Sequence, residues 1–371
     1  MKSLCVLFYL DGNNEIEPEI YSSLEKLLQF KCKDVDLFVE VGREDREFVK
    51  VIRPFENISY SKDTWTGVKR YHIKDGNIEY IDLGKRNMAN PKELYDFICW
   101  GLNGCSAKYN VLVIASHGFS FVGGITDLTF DVPYVMPIED MCYSINKALL
   151  DCRKRLDLLF LDMCYMNYIE ILYELKRRHD NIHYVLTYYG EGDFGGIDYI
   201  SFIENFYKLI EKDKKFLYFL ERDNLILSRP LKSKVKEIKE FCNSFAKQCI
   251  DKGYEDIEFV KKEIGLLSIY EKINNIVCFK SENSRGIQII DFNIKQLDKI
   301  YKNLAFSINN KWFSLISKDN KIIDKQQINF LPKMLTKSAI FGLILSLNSG
   351  IDIKEATNIL NNVVKVKGWN I

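Results

Sequence analysis

The sequence carries almost no net charge. Its 52 lysines and arginines are matched by 51 aspartates and glutamates across 371 residues, for a balance of +1. That balance implies no basic face for nucleic acid and no charge-driven attraction to a membrane surface. No apolar run reaches the roughly 18 to 20 residues that a spanning helix needs. None of the ten cysteines, at 5, 32, 99, 105, 142, 152, 164, 242, 249 and 278, stands in a C-x-x-C pair. This excludes zinc-ribbon and thioredoxin chemistry, and the spacing does not fit a small disulfide scaffold. Free thiols in a reducing compartment are the expectation. A Walker-type loop, internal repeats and Gly/Ser linkers are all missing. Asp11-Gly12-Asn13-Asn14-Glu15 lacks the ligand spacing of an EF-hand. Histidine is scarce, with four in the chain.

What remains is an alternation of apolar strands and amphipathic helices. Leu4–Leu10 is a continuous apolar run, as a strand covered on both faces requires. Although Lys2 precedes it, the run is short and no small-residue cleavage site follows, so it reads as a buried strand rather than a signal peptide. A soluble, cytoplasmic protein is expected. A helix is predicted over Pro18–Phe30 and a strand over Val35–Val41. Tyr71–Ile81 alternates around Asp75-Gly76, a tight-hairpin signal. Asn90-Pro91 opens a helix that Asn103-Gly104 closes. Tyr109–Ser116, Leu156–Asp162 and His183–Thr187 read as core strands, with a helix after Cys164 reaching Arg178. This rhythm predicts an α/β fold with a mostly parallel sheet flanked by helices.

Beyond Phe202 the pattern shifts to lysine-rich amphipathic helices. Short strands are predicted at Ile276–Phe279 and Gly286–Phe292, and two helices at the C-terminus. The expected organisation is a catalytic core at 1–202, a helical insertion at 203–274, closing strands and a helix at 275–325, and a helical tail at 326–371. The tail either packs on the sheet or docks a partner.

In open α/β sheets, ligands bind beyond the carboxyl ends of the strands. Three strands deliver chemistry there. One runs into His117-Gly118, another into Asp162-Met163-Cys164, and a third into Thr187-Tyr188-Tyr189 and the acidic loop from Gly190 to Asp198. A thiol and an imidazole on neighbouring strands are the parts of a nucleophile and its general base. The helix after Cys164 is expected to aim its positive end at the sulfur, favouring thiolate. The backbone N–H groups of Gly118 and Cys164 are candidate oxyanion donors. Taken singly, each side chain could equally be structural, since a core cysteine or a hydrogen-bonded histidine is common at a strand end.

The ordered set of Tyr9-Leu10-Asp11-Gly12-Asn13-Asn14, Asn90-Pro91-Lys92-Glu93-Leu94, Ser116-His117-Gly118 and Asp162-Met163-Cys164-Tyr165-Met166 resembles the clostripain family of caspase-like cysteine peptidases. Ile169-Glu170, Gly195-Gly196 and Gly286-Ile287-Gln288-Ile289 also fit. The resemblance spans roughly residues 4 to 320. It implies a caspase-like fold with a His117–Cys164 dyad. It also implies that Asp162 lies at the base of the S1 pocket, pairing with a substrate arginine in preference to lysine. Thr187 and Tyr188 would flank that pocket. Some relatives depend on calcium, for which Glu191, Asp193 and Asp198 could supply oxygens, or these residues form a solvated loop.

Several positions depart from the family pattern. Met163 and Asn167 stand where small residues are common, and Tyr188, Tyr189 and Ile197 replace a serine, a glutamate and a tryptophan. Bulky tyrosines would narrow or cover S1, and Asp162 could instead serve as a turn or cap residue. Residues 118–146 contain no lysine or arginine, so the self-cleavage of some relatives in that stretch is not expected here. The leading expectation is an endopeptidase acting on protein or peptide and cutting after a basic residue. The alternatives are a peptidase with a non-basic P1 preference and an inactive caspase-like binding module.

Overall fold

A computed structural model describes residues 2–192, 196–210, 224–254, 256–280, 284–292, 294, 297–317, 332–348 and 350–371. Its strands are β1 (Lys2–Gly12), β2 (Val35–Arg43), β3 (Gly67–Lys74), β4 (Asn77–Gly84), β5 (Ala107–Ala115), β6 (Gly123–Asp127), β7 (Tyr134–Pro137), β8 (Leu156–Asp162), β9 (Ile182–Tyr188), β10 (Leu225–Ser228), β11 (Val277–Phe279) and β12 (Lys333–Met334). Among the described residues, the α-helices of six residues or more are α1 (Glu17–Leu28), α2 (Arg46–Ile52), α3 (Pro91–Gly104), α4 (Ile138–Asp151), α5 (Ile169–Lys176), α6 (Tyr199–Ile210), α7 (Lys232–Asp251), α8 (Leu267–Asn274), α9 (Asp298–Asn303), α10 (Trp312–Ser317), α11 (Lys337–Leu347) and α12 (Ile353–Lys367).

A nine-stranded sheet runs in the order β11-β10-β9-β8-β5-β1-β2-β3-β4. Its middle five strands, β9-β8-β5-β1-β2, are parallel, with antiparallel strands added at both edges. Both faces are covered, and side chains along each central strand alternate between two cores. Leu7 and Tyr9 of β1, Ile114 of β5 and Leu161 of β8 join α3, α4 and α5. Phe8, Val113 and Phe160 turn to the opposite face, against α1 and α6. This is why those strands read as unbroken apolar runs. At the β3–β4 hairpin, Asp75 and Gly76 both take positive φ, 53° and 80°, as the two-residue turn of matching twist demands. Asn90 caps α3 by accepting from Lys92 N at 3.0 Å.

Three expectations are corrected. The 203–274 stretch is not wholly helical, because β10 lies within it and pairs with β9. Its apolar run of three residues is too short to stand out among lysines, yet suffices for an antiparallel edge. Gly286–Phe292 forms no strand. It is pinned to the start of α5 by Gln288, which donates to Asn167 O and accepts from Ile169 N at 2.9 and 2.8 Å, burying Ile287, Ile289 and Ile290. Finally, α5 begins at Ile169, five residues beyond Cys164.

The C-terminal helices pack on the body of the protein. α11 and α12 enclose Phe48 and Ile52 of α2 in a third core that includes Trp369, and Trp369 Nε1 donates to Phe130 O at 2.8 Å. No helix among the described residues is long and apolar enough to cross a membrane.

Candidate active site

β5 and β8 pair in parallel with Ala115 opposite Asp162, so His117 and Cys164 each lie two residues past the same rung. The two turns are in close contact. A Cβ added to Gly118 would sit 2.1 Å from Cys164 O and 3.0 Å from Cys164 N, so only glycine lets the His117 turn approach the cysteine backbone. The β6–β7 hairpin covers the histidine turn, with Ile125 N donating to His117 O at 3.1 Å.

His117 has a partner that sequence reasoning missed. Its Nε2 lies 2.5 Å from Glu15 Oε1, and the Glu15 side chain is fully buried. Glu15 stands between the end of β1 and α1. Its carbonyl accepts from Arg53 at 2.9 Å, and Arg53 also forks onto Glu19 and Glu56. Burial favours neutral imidazole, but the Glu15 carboxylate outweighs it and holds the His117 pKa above its ordinary value. Burial likewise opposes the Glu15 charge, and His117 overcomes this, leaving that carboxyl below its ordinary range. The only sequence signal for Glu15 is its place just past a strand end, the rule that singles out His117 and Cys164.

Behind this pair, Asp11 ties the loops together. It accepts from Ser116 Oγ at 2.6 Å, Thr126 N at 3.0 Å and Asn14 Nδ2 at 3.2 Å. The Tyr9-to-Asn14 motif therefore holds the ends of β1, β5 and β6 in register rather than presenting ligands.

Cys164 is half-buried, and its sulfur contacts the 190–192 loop. Gly192 N donates to Sγ at 3.4 Å, Tyr165 N donates to Gly190 O at 2.6 Å, and the Tyr165 hydroxyl bonds Glu191. Burial pushes the thiol pKa up. The Gly192 N–H pulls the other way, and the charges of Glu191 and Asp162 add to the rise. The expected thiolate stabilisation by the following helix is therefore not realised. α5 starts too far along the chain, and its first N–H bonds Gln288.

Asp162 is almost fully buried. Tyr188 donates to one carboxylate oxygen at 2.7 Å and Tyr199 to the other at 2.5 Å. Gly196 lies against the same carboxylate, and a Cβ there would meet Oδ2 at 2.1 Å. Tyr199, at the start of α6, falls in the stretch that fits the family pattern, but sequence reasoning gave it no role in the site. Thr187 is buried in β9 opposite Leu161, and its hydroxyl has no partner among the described residues. The structure brings Tyr188 to Asp162 but leaves Thr187 inside the sheet. A polar groove of about 400 Å³ opens beside Gly196 and Asp198, walled by α1 and residues 53–59.

Of the residues considered for calcium, Glu191 engages Tyr165, and Asp198 caps α6 through Ile200 N and Ser201 Oγ at 3.2 and 2.7 Å. Asp193 lies outside the described residues. Among the described residues, no three His, Cys, Asp or Glu side chains are grouped to hold a metal ion.

The model of the clostripain family matches residues 68–349 of this chain. The chain belongs to the clostripain family. Its match runs beyond the residue-320 limit of the resemblance, through α11 but short of α12, and begins after β1, α1 and Glu15. Solved structures agree on the fold. A secreted C11 cysteine protease from Bacteroides thetaiotaomicron superposes with a TM-score of 0.57 at 15% identity, covering 83% of this chain and 99% of that one. An inactive zymogen C11 protease from Parabacteroides distasonis gives 0.57 at 13% identity, with 84% and 99% covered. The Bacteroides thetaiotaomicron protease in complex with an irreversible peptide inhibitor gives 0.54 at 13% identity, with 86% and 100% covered. No curated protein matches the sequence. The fold is thus that of the caspase-like clostripain peptidases, and membership supports a cysteine peptidase.

Proposed function

We propose that this protein is a cysteine endopeptidase acting through Cys164 and His117 and cutting after a basic residue, arginine before lysine. The observation that carries the reading is the shared rung of β5 and β8, which sends an imidazole and a thiol into adjoining turns. In this reading the Cys164 thiol gives its proton to His117 as Sγ bonds to the scissile carbonyl carbon, and the N–H groups of Gly118 and Cys164 receive the oxyanion. The C–N bond then breaks, with His117 delivering the proton to the leaving amine. Water attacks the thioester, with His117 as base, and releases the acid and the thiol.

Asp162 supports the basic preference, since a buried carboxylate two residues before the nucleophile suits a planar guanidinium. The two tyrosine donors on that carboxylate favour a second reading, in which P1 is non-basic and Asp162 is a structural acceptor. Fluorogenic peptides with Arg, Lys and a mixed set of P1 residues separate the two. Turnover is expected with Arg, less with Lys, and none in Cys164→Ala or His117→Ala. Cleavage confined to non-basic P1 selects the second reading. Absence of turnover, together with no labelling of Cys164 by a basic electrophile, selects an inactive binding module.

A further inference from the structure

We propose that Glu15 is the positioning residue of this site: it anchors the His117 ring through Nε2, which leaves Nδ1 as the nitrogen that exchanges protons with the thiol and the leaving amine. This rests on the reading that His117 and Cys164 carry the reaction. The inference starts from two geometric facts. Glu15 Oε1 lies 2.5 Å from His117 Nε2, and Glu15 Oε2 is buried with no hydrogen-bond partner among the described residues. A buried carboxylate with one oxygen unsatisfied is costly, so a purely structural role would favour a neutral or apolar side chain here. An imidazolium repays that cost, because the opposite charge sits directly on the other oxygen.

An imidazole has two nitrogens, and fixing one assigns the task of the other. With Nε2–H donated to Glu15, the ring cannot flip without breaking a charge-assisted bond. Arg53 holds the Glu15 backbone and grips Glu19 and Glu56, so the carboxylate has little freedom to follow a displaced ring. The charged groups acting on His117 come from several elements. Glu15 and Asp11, from the end of β1 and the loop after it, favour the imidazolium, and Arg53, from the end of α2, opposes it. Glu15 lies outside the stretch matched by the family model.

The arrangement predicts a specific pH signature. If the imidazolium must supply the proton to the leaving amine, activity falls as pH rises through the His117 pKa. Removing the Glu15 charge lowers that pKa, so the alkaline limb of kcat/KM moves acidward. Glu15→Gln keeps an acceptor at the same reach and deletes only the charge. It is expected to lower kcat about a hundred-fold with KM nearly unchanged, and to shift the alkaline limb down by about one pH unit. Glu15→Asp restores the position of the limb and part of kcat. A uniform loss of rate with an unmoved limb would mean that Glu15 is only structural and would overturn the proposal.

A second measurement needs no Glu15 variant and no turnover. In Cys164→Ala protein, the four histidines are followed by imidazole 15N NMR, with His117 assigned by its loss in Cys164→Ala/His117→Ala. The expected result is a protonated Nε2 and titration above the ordinary value of about 6.5. Titration at or below that value, or a proton resident on Nδ1 in the neutral form, overturns the proposal. The parent reading fails separately, if Cys164→Ala or His117→Ala still cleaves peptide.

Discussion

The Tyr188 hydroxyl donates to Asp162 Oδ1 at 2.7 Å, across neighbouring positions of the parallel β8–β9 pair. Tyr199 holds the other oxygen at 2.5 Å. If Asp162 receives a P1 guanidinium, the phenols compete with it. Tyr188→Phe and Tyr199→Phe are therefore expected to lower KM for Arg substrates by roughly ten-fold, the worth of one hydrogen bond to a charged group. Steady-state kinetics on an Arg peptide checks this. An unchanged KM in both variants would assign Asp162 a structural role.

Labelling reads the state of Cys164 directly. Burial, Glu191 and Asp162 raise its pKa against the single Gly192 donor. Alkylation by iodoacetamide in the absence of substrate should rise with pH along a curve whose midpoint lies above the ordinary thiol range. Glu191→Gln removes a negative charge, so its midpoint should fall. Site-resolved mass spectrometry is needed, since ten thiols are present. Full labelling of Cys164 near neutral pH would contradict the burial account.

Glu170 offers a stability test. It is fully buried, accepts from Tyr301 and Ile290 N at 2.7 and 3.0 Å, and has a second oxygen without a partner among the described residues. Burial raises its pKa to about 7, with the Tyr301 and backbone donors opposing. The folded state thus holds a proton that the unfolded chain releases near its ordinary value. The contribution is intact below that ordinary value and is lost as pH rises toward 7. Glu170→Gln cannot ionise. Between pH values near 4 and about 8.5, the stability difference should move in the variant's favour by about 3 kcal/mol. Urea unfolding at both ends of that range measures it, and parallel pH profiles would refute it.

The C-terminal tail can be tested through Trp369, which is nearly buried beside Phe48 with ring centroids 6.2 Å apart. Truncating a buried tryptophan leaves a large cavity, so Trp369→Ala should cost about 3 kcal/mol of stability. kcat on a peptide should stay at the wild-type level. A variant with wild-type stability would show that the tail contributes nothing to the packed core.

Much of this was legible in the sequence because it depends on local physics. Strands buried on both faces announce themselves as apolar runs, the Asp75-Gly76 turn by its backbone demands, and α3 by Asn90 and Pro91. His117 and Cys164 were singled out by the strand-end rule and by the family resemblance. Glu15 was not, because its role depends on a contact 102 positions away along the chain, and an acidic residue in a polar stretch reads as a turn. The role of Tyr199 was hidden for the same reason: its hydroxyl reaches Asp162 only once α6 folds back over β8. The helix-dipole expectation for Cys164 failed because α5 starts late, a boundary that depends on Gln288 far downstream.

The Lys367 ammonium engages Glu44, whose N–H bonds Gly12 O at 2.8 Å. The last helix therefore finishes at the carboxyl end of β1 and β2, the same end that carries Glu15. Lys2 starts β1 at the other end, about 33 Å away at the usual strand rise. An affinity tag or fluorescent partner fused after Ile371 would emerge at the pole that carries His117 and Cys164, whereas one placed ahead of Lys2 would leave from the opposite pole.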